Sequence, residues 1–596
     1  MPGKGDRGGK KEKPRDAKGA LIRLIRCLME YKWIVLFLLI LAILSNIGNL
    51  LGPRYAGKAI GIAEAGYRQG KGMIDMALVR HYTLMMLLVY VCSNVLSFLV
   101  SISMSRIGRR VGQNLRRDVF DKLMKLPVSY FDRNQAGDII SRVSYDIDVV
   151  STSLSTDVIQ ILTSSITVAG SFIMMCMISI PLVLCMIFTI PVSVWFTRRM
   201  GRITRPLYSE RSRAYGTMNG FAEEMFTGQK TILAYAHEDD VSEKFSAINR
   251  HAAEAYRDAD GKGMTMGPTI GMISNFGLAA IGMGGALLYM LNIVGLEQMS
   301  SFVLYSRKFS GPINEISNIV NEIFSALAAS ERVFRLLDEP EEAADIYGAE
   351  VLDDCKGEVE ADHISFGYLP NKTVLHDLSF HADPGQTIAI VGHTGAGKTT
   401  IINLLMRFYD ADTGRICVDG REHREYTMES LRKNYAMVLQ DTWLFQGTIY
   451  DNIAYGKEGA SREEVIAAAK AAKIHDYIMK LPQGYNTVIY EDGGNISKGQ
   501  KQLLTIARAM LYNTNMLILD EATSNVDTNT EREVQKAIRS LMAGRTSFVI
   551  AHRLSTIQNA DNILVVNAGD VIEQGTHDEL MAKKGFYYSM YASQFN

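Results

Sequence analysis

Apolar residues are unevenly placed along this chain: long runs stand ahead of about Ala328, and ordinary globular patterning follows. Trp33–Leu51, Tyr82–Ile102 and Val158–Ile178 are each close to the roughly 20 residues a helix needs to cross a bilayer. Pro181–Phe196 is a shorter fourth run, Pro268–Val294 a fifth, and Phe302–Ala328 a sixth interrupted by Arg307, Lys308, Glu315 and Glu322. A bilayer offers no water to backbone groups, so runs of this length are expected to satisfy them internally, as helices. Six spans are expected, because an even number leaves both ends of the chain on one side.

The connections alternate in length. Met177–Pro181 and Val294–Gln298 are short and are expected outside. Ser103–Asp157 and Thr197–Gly267 are long, helical in pattern and basic, with Arg106, Arg109 and Arg110 in the first and Arg198, Arg199 and Arg202 in the second. Such loops stay on the cytoplasmic side. The basic residues before the first run place the N-terminus there too, as a tail over 1–20 expected to be disordered. Leu21–Glu30 has the pattern of an amphipathic helix lying at the membrane surface. A net charge of −1 provides no field for a nucleic-acid partner. The cysteines (Cys27, Cys92, Cys176, Cys185, Cys355, Cys417) form no C-x-x-C pair, which argues against a zinc site or a disulfide framework.

The helical membrane region, 21–335, is followed by an acidic stretch at 336–356 that reads as a linker. Over 357–596 short apolar runs alternate with helical segments, as in an α/β sheet domain. Within it Gly392-His393-Thr394-Gly395-Ala396-Gly397-Lys398-Thr399-Thr400 reads G-x-x-x-x-G-K-[ST]. The strand-like Thr387–Val391 precedes it and a helical run follows. The glycines let successive N–H groups converge on one anion, and the helix start adds its positive dipole end. Lys398 can reach the β- and γ-phosphates of a nucleotide, and the Thr399 hydroxyl can ligate Mg²⁺. Met516–Leu519 is an apolar strand that ends in Asp520 and Glu521. Asp520 is suited to the same Mg²⁺, and Glu521 to aligning a water on the γ-phosphate.

About twenty residues earlier, Asn495-Ile496-Ser497-Lys498-Gly499-Gln500 resembles the signature motif of ABC transporters, whose family form is Leu-Ser-Gly-Gly-Gln. Gln440 looks like the family's Q-loop glutamine, Asp527 in Ser524–Asp527 like the D-loop aspartate, His552 like the switch histidine and Tyr368 like the aromatic that stacks on adenine. Six motifs in family order cover about Gly357 to Phe595. In the membrane half, Ser129–Asp132 through Asp138 and Glu223-Glu224 through Glu238 are similar to the stretches around the coupling helices of six-span exporter subunits.

The resemblance implies a six-helix membrane domain fused to an ABC ATPase with a helical subdomain, multi-pass in the cell membrane, with N-terminus and ATPase in the cytoplasm. It implies ATP and Mg²⁺, held by Tyr368, Gly392, His393, Thr394, Gly395, Ala396, Gly397, Lys398, Thr399, Thr400 and Gln440, with Gln440 also at the metal beside Thr399 and Asp520. Lys398, Glu521 and His552 would serve catalysis. Ser497, Gly499, Gln500 and Asp527 would contact nucleotide across a dimer. The implied activity is ATP-driven export or flipping of a small amphipathic or lipophilic substrate, with a lipid or peptide as alternative cargo and an ATP-gated channel as alternative function. The chain carries one ATPase, so it needs a second half-transporter. Lys498 replaces a family glycine, and a lysine there restricts φ and adds bulk and charge; this favours a heterodimer over a homodimer. Arg307 or Lys308 is expected to face the translocation cavity, since a mid-bilayer charge costs at least about 2.5 kcal/mol.

Overall fold

The structure is a computed structural model that describes residues 16–70, 73–187, 189–370, 372–440, 442–490, 494–520, 528–551 and 557–595. They divide into two compact units. The first runs up to Leu126 and resumes over Asn134–Pro340; the second combines Pro127–Arg133 with the chain from Glu341 onward.

The first unit is helical. Among the described residues, four helical stretches are long and apolar enough to cross a membrane: Lys32–Gln69, Met76–Leu123, Ala136–Ile178 and Glu238–Met290. They take in the expected first, second, third and fifth runs. The fourth run falls on the helices Ile180–Ile187 and Thr189–Thr227, partly outside the described residues, and the sixth on the helix Leu296–Leu337. Large apolar side chains such as Trp33, Phe37, Leu88 and Phe98 stand exposed on the outer helices. A lipid-facing surface has this character.

The end of the stretch expected as a disordered tail over 1–20 is helical. A helix begins at Ala17, because Asp16 accepts a hydrogen bond from the Gly19 N–H at 2.8 Å and caps it. That helix, Ala17–Met29, buries Ala20 and Leu24. Arg23 pairs with Asp338 at 2.7 Å and lies over the Phe334 ring, which ties the helix to the end of Leu296–Leu337.

Proline shapes the packing of the first long helix. Pro53 has no N–H, so the carbonyl of Asn49 lacks its usual helical donor. The Lys308 ammonium takes that carbonyl at 2.7 Å and lies over the Tyr90 ring. One turn earlier, the Tyr305 hydroxyl donates to Leu50 O at 2.5 Å.

The second unit contains twelve strands among the described residues: β1 Val359–Phe366, β2 Leu375–Ala382, β3 Thr387–Val391, β4 Thr413–Val418, β5 Arg421–Glu422, β6 Tyr435–Val438, β7 Gly447–Thr448, β8 Val488–Ile489, β9 Met516–Asp520, β10 Thr546–Ile550, β11 Asn562–Asn567 and β12 Asp570–Gly575. β2-β1-β4-β5 form an antiparallel sheet, and β7-β8 a short ribbon. The main sheet has the order β12-β11-β3-β10-β9-β6, parallel except for β12.

The central strands are apolar in almost every position, as burial on both faces requires. Their side chains alternate between two cores. Ala389, Val391, Leu517, Leu519 and Val549 face one, where the helix Lys498–Tyr512 contributes Leu503, Leu504, Ile506 and Ala507. Ile388, Ile390, Ile518, Phe548 and Ile550 face the other, with Ile401, Ile402, Leu404 and Leu405 from the helix Lys398–Leu405.

Candidate functional site

The parallel strands end together. Ile550 is in register with Asp520 on one side and Ile390 on the other, and Leu519 pairs with Val438. Gly392–Thr400 after β3, Gln440 after β6 and Asp520 closing β9 therefore lie along one edge of the sheet. Ligands of open α/β sheets bind at this C-terminal edge.

The loop after β3 depends on glycine in the backbone. Gly392 has φ +153°, and a Cβ there would come within 2.1 Å of the Val566 carbonyl oxygen on β11. Gly397, φ +109°, stands at the N-cap of the helix Lys398–Leu405, where a Cβ would meet Leu375 at 2.7 Å. No side chain caps that helix start. Its first N–H groups are thus left for an anion.

Lys398 is buried and folds back on the loop, donating to Gly392 O at 2.8 Å and His393 O at 3.0 Å. Burial lowers its pKa from the ordinary lysine value, and the Asp520 carboxylate acts in the opposite sense. A phosphate would offer this ammonium a full negative charge in place of two neutral carbonyls. Thr399 is exposed beside it. Among the described residues no cluster of three or more His, Cys, Asp or Glu could hold a metal by itself. Thr399 and Asp520 fit a hard cation that keeps most of its ligands as phosphate and water, as Mg²⁺ does.

His393 packs edge-on to Phe586. The Tyr368 hydroxyl donates to Thr400 Oγ1 at 3.2 Å and accepts from Asn403 Nδ2 at 3.1 Å, which fixes the ring beside the helix start. Its ring meets that of Tyr409 edge-on, with centroids 5.0 Å apart. Tyr409 in turn donates to Asp132 Oδ2 at 2.5 Å, on the short helix Val128–Arg133. Burial, then the carboxylate, push the Tyr409 phenol well above its ordinary pKa. The sequence reading overlooked Tyr409, since nothing in local periodicity announces a contact 277 residues away.

Ser497 is the N-cap of the helix Lys498–Tyr512 in a reciprocal box with Gln500, whose side chain accepts from the Ser497 N–H at 3.0 Å. Gly499 is buried. Lys498 is exposed at the first helical position and is absent from the residues of positive φ. Its backbone is one that any L-residue adopts, so the expected restriction of φ has no consequence here; bulk and charge remain. This helix and the helix Lys398–Leu405 pack on opposite faces of the sheet. Among the described residues no hydrogen bond or ion pair joins 497–500 to 392–400. Glu521, Asp527 and His552 lie outside the described residues.

Residues 35–313 match the family described as ABC transporter transmembrane region, and 375–524 the family described as ABC transporter. The chain is 40% identical over 590 residues to the uncharacterized ABC transporter ATP-binding protein YfiC of Bacillus subtilis, covering 98% of this chain and 96% of that one. The chain belongs to the ABC exporter family. It is also 42% identical over 521 residues to a fatty acid ABC transporter ATP-binding/permease protein of Mycobacterium tuberculosis, covering 87% of this chain and 82% of the relative. Among solved structures it resembles a bacterial Atm1-family ABC exporter with ATP bound, at a TM-score of 0.74 and 30% identity, covering 96% of this chain and 99% of the other. The exporter is thus a multi-pass membrane protein with a fused, cytoplasmic, ATP-hydrolysing domain.

Proposed function

We propose that this exporter works as a dimer of two such halves, each contributing six spans, and moves a lipid-like amphiphile across the membrane. The observation that carries the dimer is the placement of Ser497 and the phosphate loop on opposite faces of one sheet. One chain by itself brings no signature residue to its own Lys398. In this reading Gly392–Thr400, Tyr368 and Gln440 hold ATP, and Thr399 and Asp520 hold Mg²⁺. Glu521 aligns the attacking water, and His552 senses the γ-phosphate. Ser497, Gly499, Gln500 and Asp527 reach across from the other half.

Similarity to a relative named for fatty acids supports a lipid-like cargo. A homodimer is the first reading, because Lys498 occupies an unstrained helical position. The charge and bulk of Lys498 favour a heterodimer as the second.

The chain purified alone and reconstituted in liposomes should hydrolyse ATP and move a fluorescent fatty acid or phospholipid between leaflets in proportion to hydrolysis. A lone chain without ATPase activity that gains it with a second half would select the heterodimer. Movement down a gradient that ATP gates without turnover would select a channel.

A further inference from the structure

The helices Met266–Met290 and Leu296–Leu337 line a cavity of about 240 Å³. Ser274, Asn275 and Leu278 face it from the first helix, and Ser306, Arg307 and Ser310 from the second. Arg307 lies about 16 Å along its helix from Leu296 at 1.5 Å per residue, roughly half of a hydrocarbon core of about 30 Å. A guanidinium at that depth requires a counter-charge or water.

The neighbouring lysine shows what a structural cation looks like here. Lys308 is half-buried, bonded to the carbonyl that Pro53 leaves unpaired, and seated over Tyr90. Arg307 has none of this. It is exposed to the cavity, and among the described residues it makes no hydrogen bond or ion pair. No carboxylate is among the described residues that line the cavity. Ser306 and Ser310 donate to Val303 O and Ser306 O of their own helix, while the side chains of Ser274 and Asn275 make no hydrogen bond among the described residues. The cavity therefore presents one uncompensated fork of donors, an amide and hydroxyls. Its volume of about 240 Å³ leaves room for a head group.

We infer that this cavity receives the anionic head group, carboxylate or phosphate, of the transported amphiphile, with Arg307 as its forked partner. The inference rests on the lipid-export reading above and adds the head-group class to it.

The test uses the full chain in proteoliposomes, or the complex if a second half is required. ATPase stimulation is titrated with oleic acid, oleoyl lysophosphatidate, oleyl alcohol and oleylamine, and separately with acetate and inorganic phosphate. The two anionic amphiphiles should half-saturate at concentrations at least tenfold below the alcohol and amine, and the free anions should have no effect. Arg307→Gln should abolish that preference, and Arg307→Lys should restore part of it.

Equal stimulation by acid, alcohol and amine, or a preference that survives Arg307→Gln, would overturn the head-group assignment and leave lipid export standing. Stimulation by acetate or phosphate alone would reassign the cavity to a soluble anion and overturn the proposal. No response and no translocation with any amphiphile would remove the lipid reading and this inference with it. The head-group series on the unmodified protein decides the matter even if an Arg307 variant fails to fold.

Discussion

Two positions where this family carries glycine behave differently in this chain. Gly392, at the mouth of the phosphate loop, has a positive φ and lies against the Val566 carbonyl, with no room for a methyl group. At the signature the family glycine is Lys498, exposed, in ordinary helical backbone and preceded by a complete cap. At one site the fold needs the missing side chain. At the other it does not, and any need for glycine there would have to come from a partner surface. A family glycine is thus evidence about backbone only where the structure shows crowding or positive φ.

Four measurements test this contrast between the strand edge and the signature. The largest effect is expected at Glu521, adjoining the Asp520 that closes β9. Glu521→Gln should leave ATP binding intact and cut turnover by about 10²–10⁴-fold, the usual contribution of a positioned base. Phosphate release within threefold of the unmodified protein would remove it from that role.

Gly392→Ala should come next. Displacing the loop from β11 and straining φ should cost on the order of 1–3 kcal/mol, read as a lower thermal midpoint of the purified chain and weaker ATP binding by calorimetry. If alanine is accepted with neither change, the crowding argument fails and the contrast disappears.

Tyr409→Phe removes only the hydroxyl that reaches Asp132. A loss of about 1 kcal/mol is expected, near fivefold in substrate-stimulated ATPase, with basal hydrolysis less affected. An equal fall in both rates would show that Tyr409 supports Tyr368 and carries nothing to the Val128–Arg133 helix.

Lys498→Gly should have the smallest effect, less than about threefold in turnover, or roughly 0.65 kcal/mol. A large gain in the lone chain would show that the lysine obstructs a working site in a homodimer.

The two ends of this ranking were unequally legible in the sequence. Phosphate-binding loops are local: glycine spacing, an apolar strand before and a helix after are enough to read one, and Lys398 and Asp520 lie at the same C-terminal edge of the sheet. The start of the first helix at Ala17 was missed, because its evidence is one capping aspartate and a burial partner at the far end of the unit. Arg307 and Lys308, adjacent in sequence, could not be told apart by hydropathy. The unpaired carbonyl that Pro53 creates on another helix separated them.

The sequence by itself determined the family, the nucleotide chemistry and the division into apolar and globular regions, since each is written in short-range patterns of residue type. Only the tertiary structure decided three other matters: that Lys498 sits without strain, that Tyr409 reaches Asp132, and which of two neighbouring cations lines a cavity. The first is a matter of local backbone and capping; the other two depend on contacts between residues more than two hundred positions apart, which leave no periodic trace in the chain.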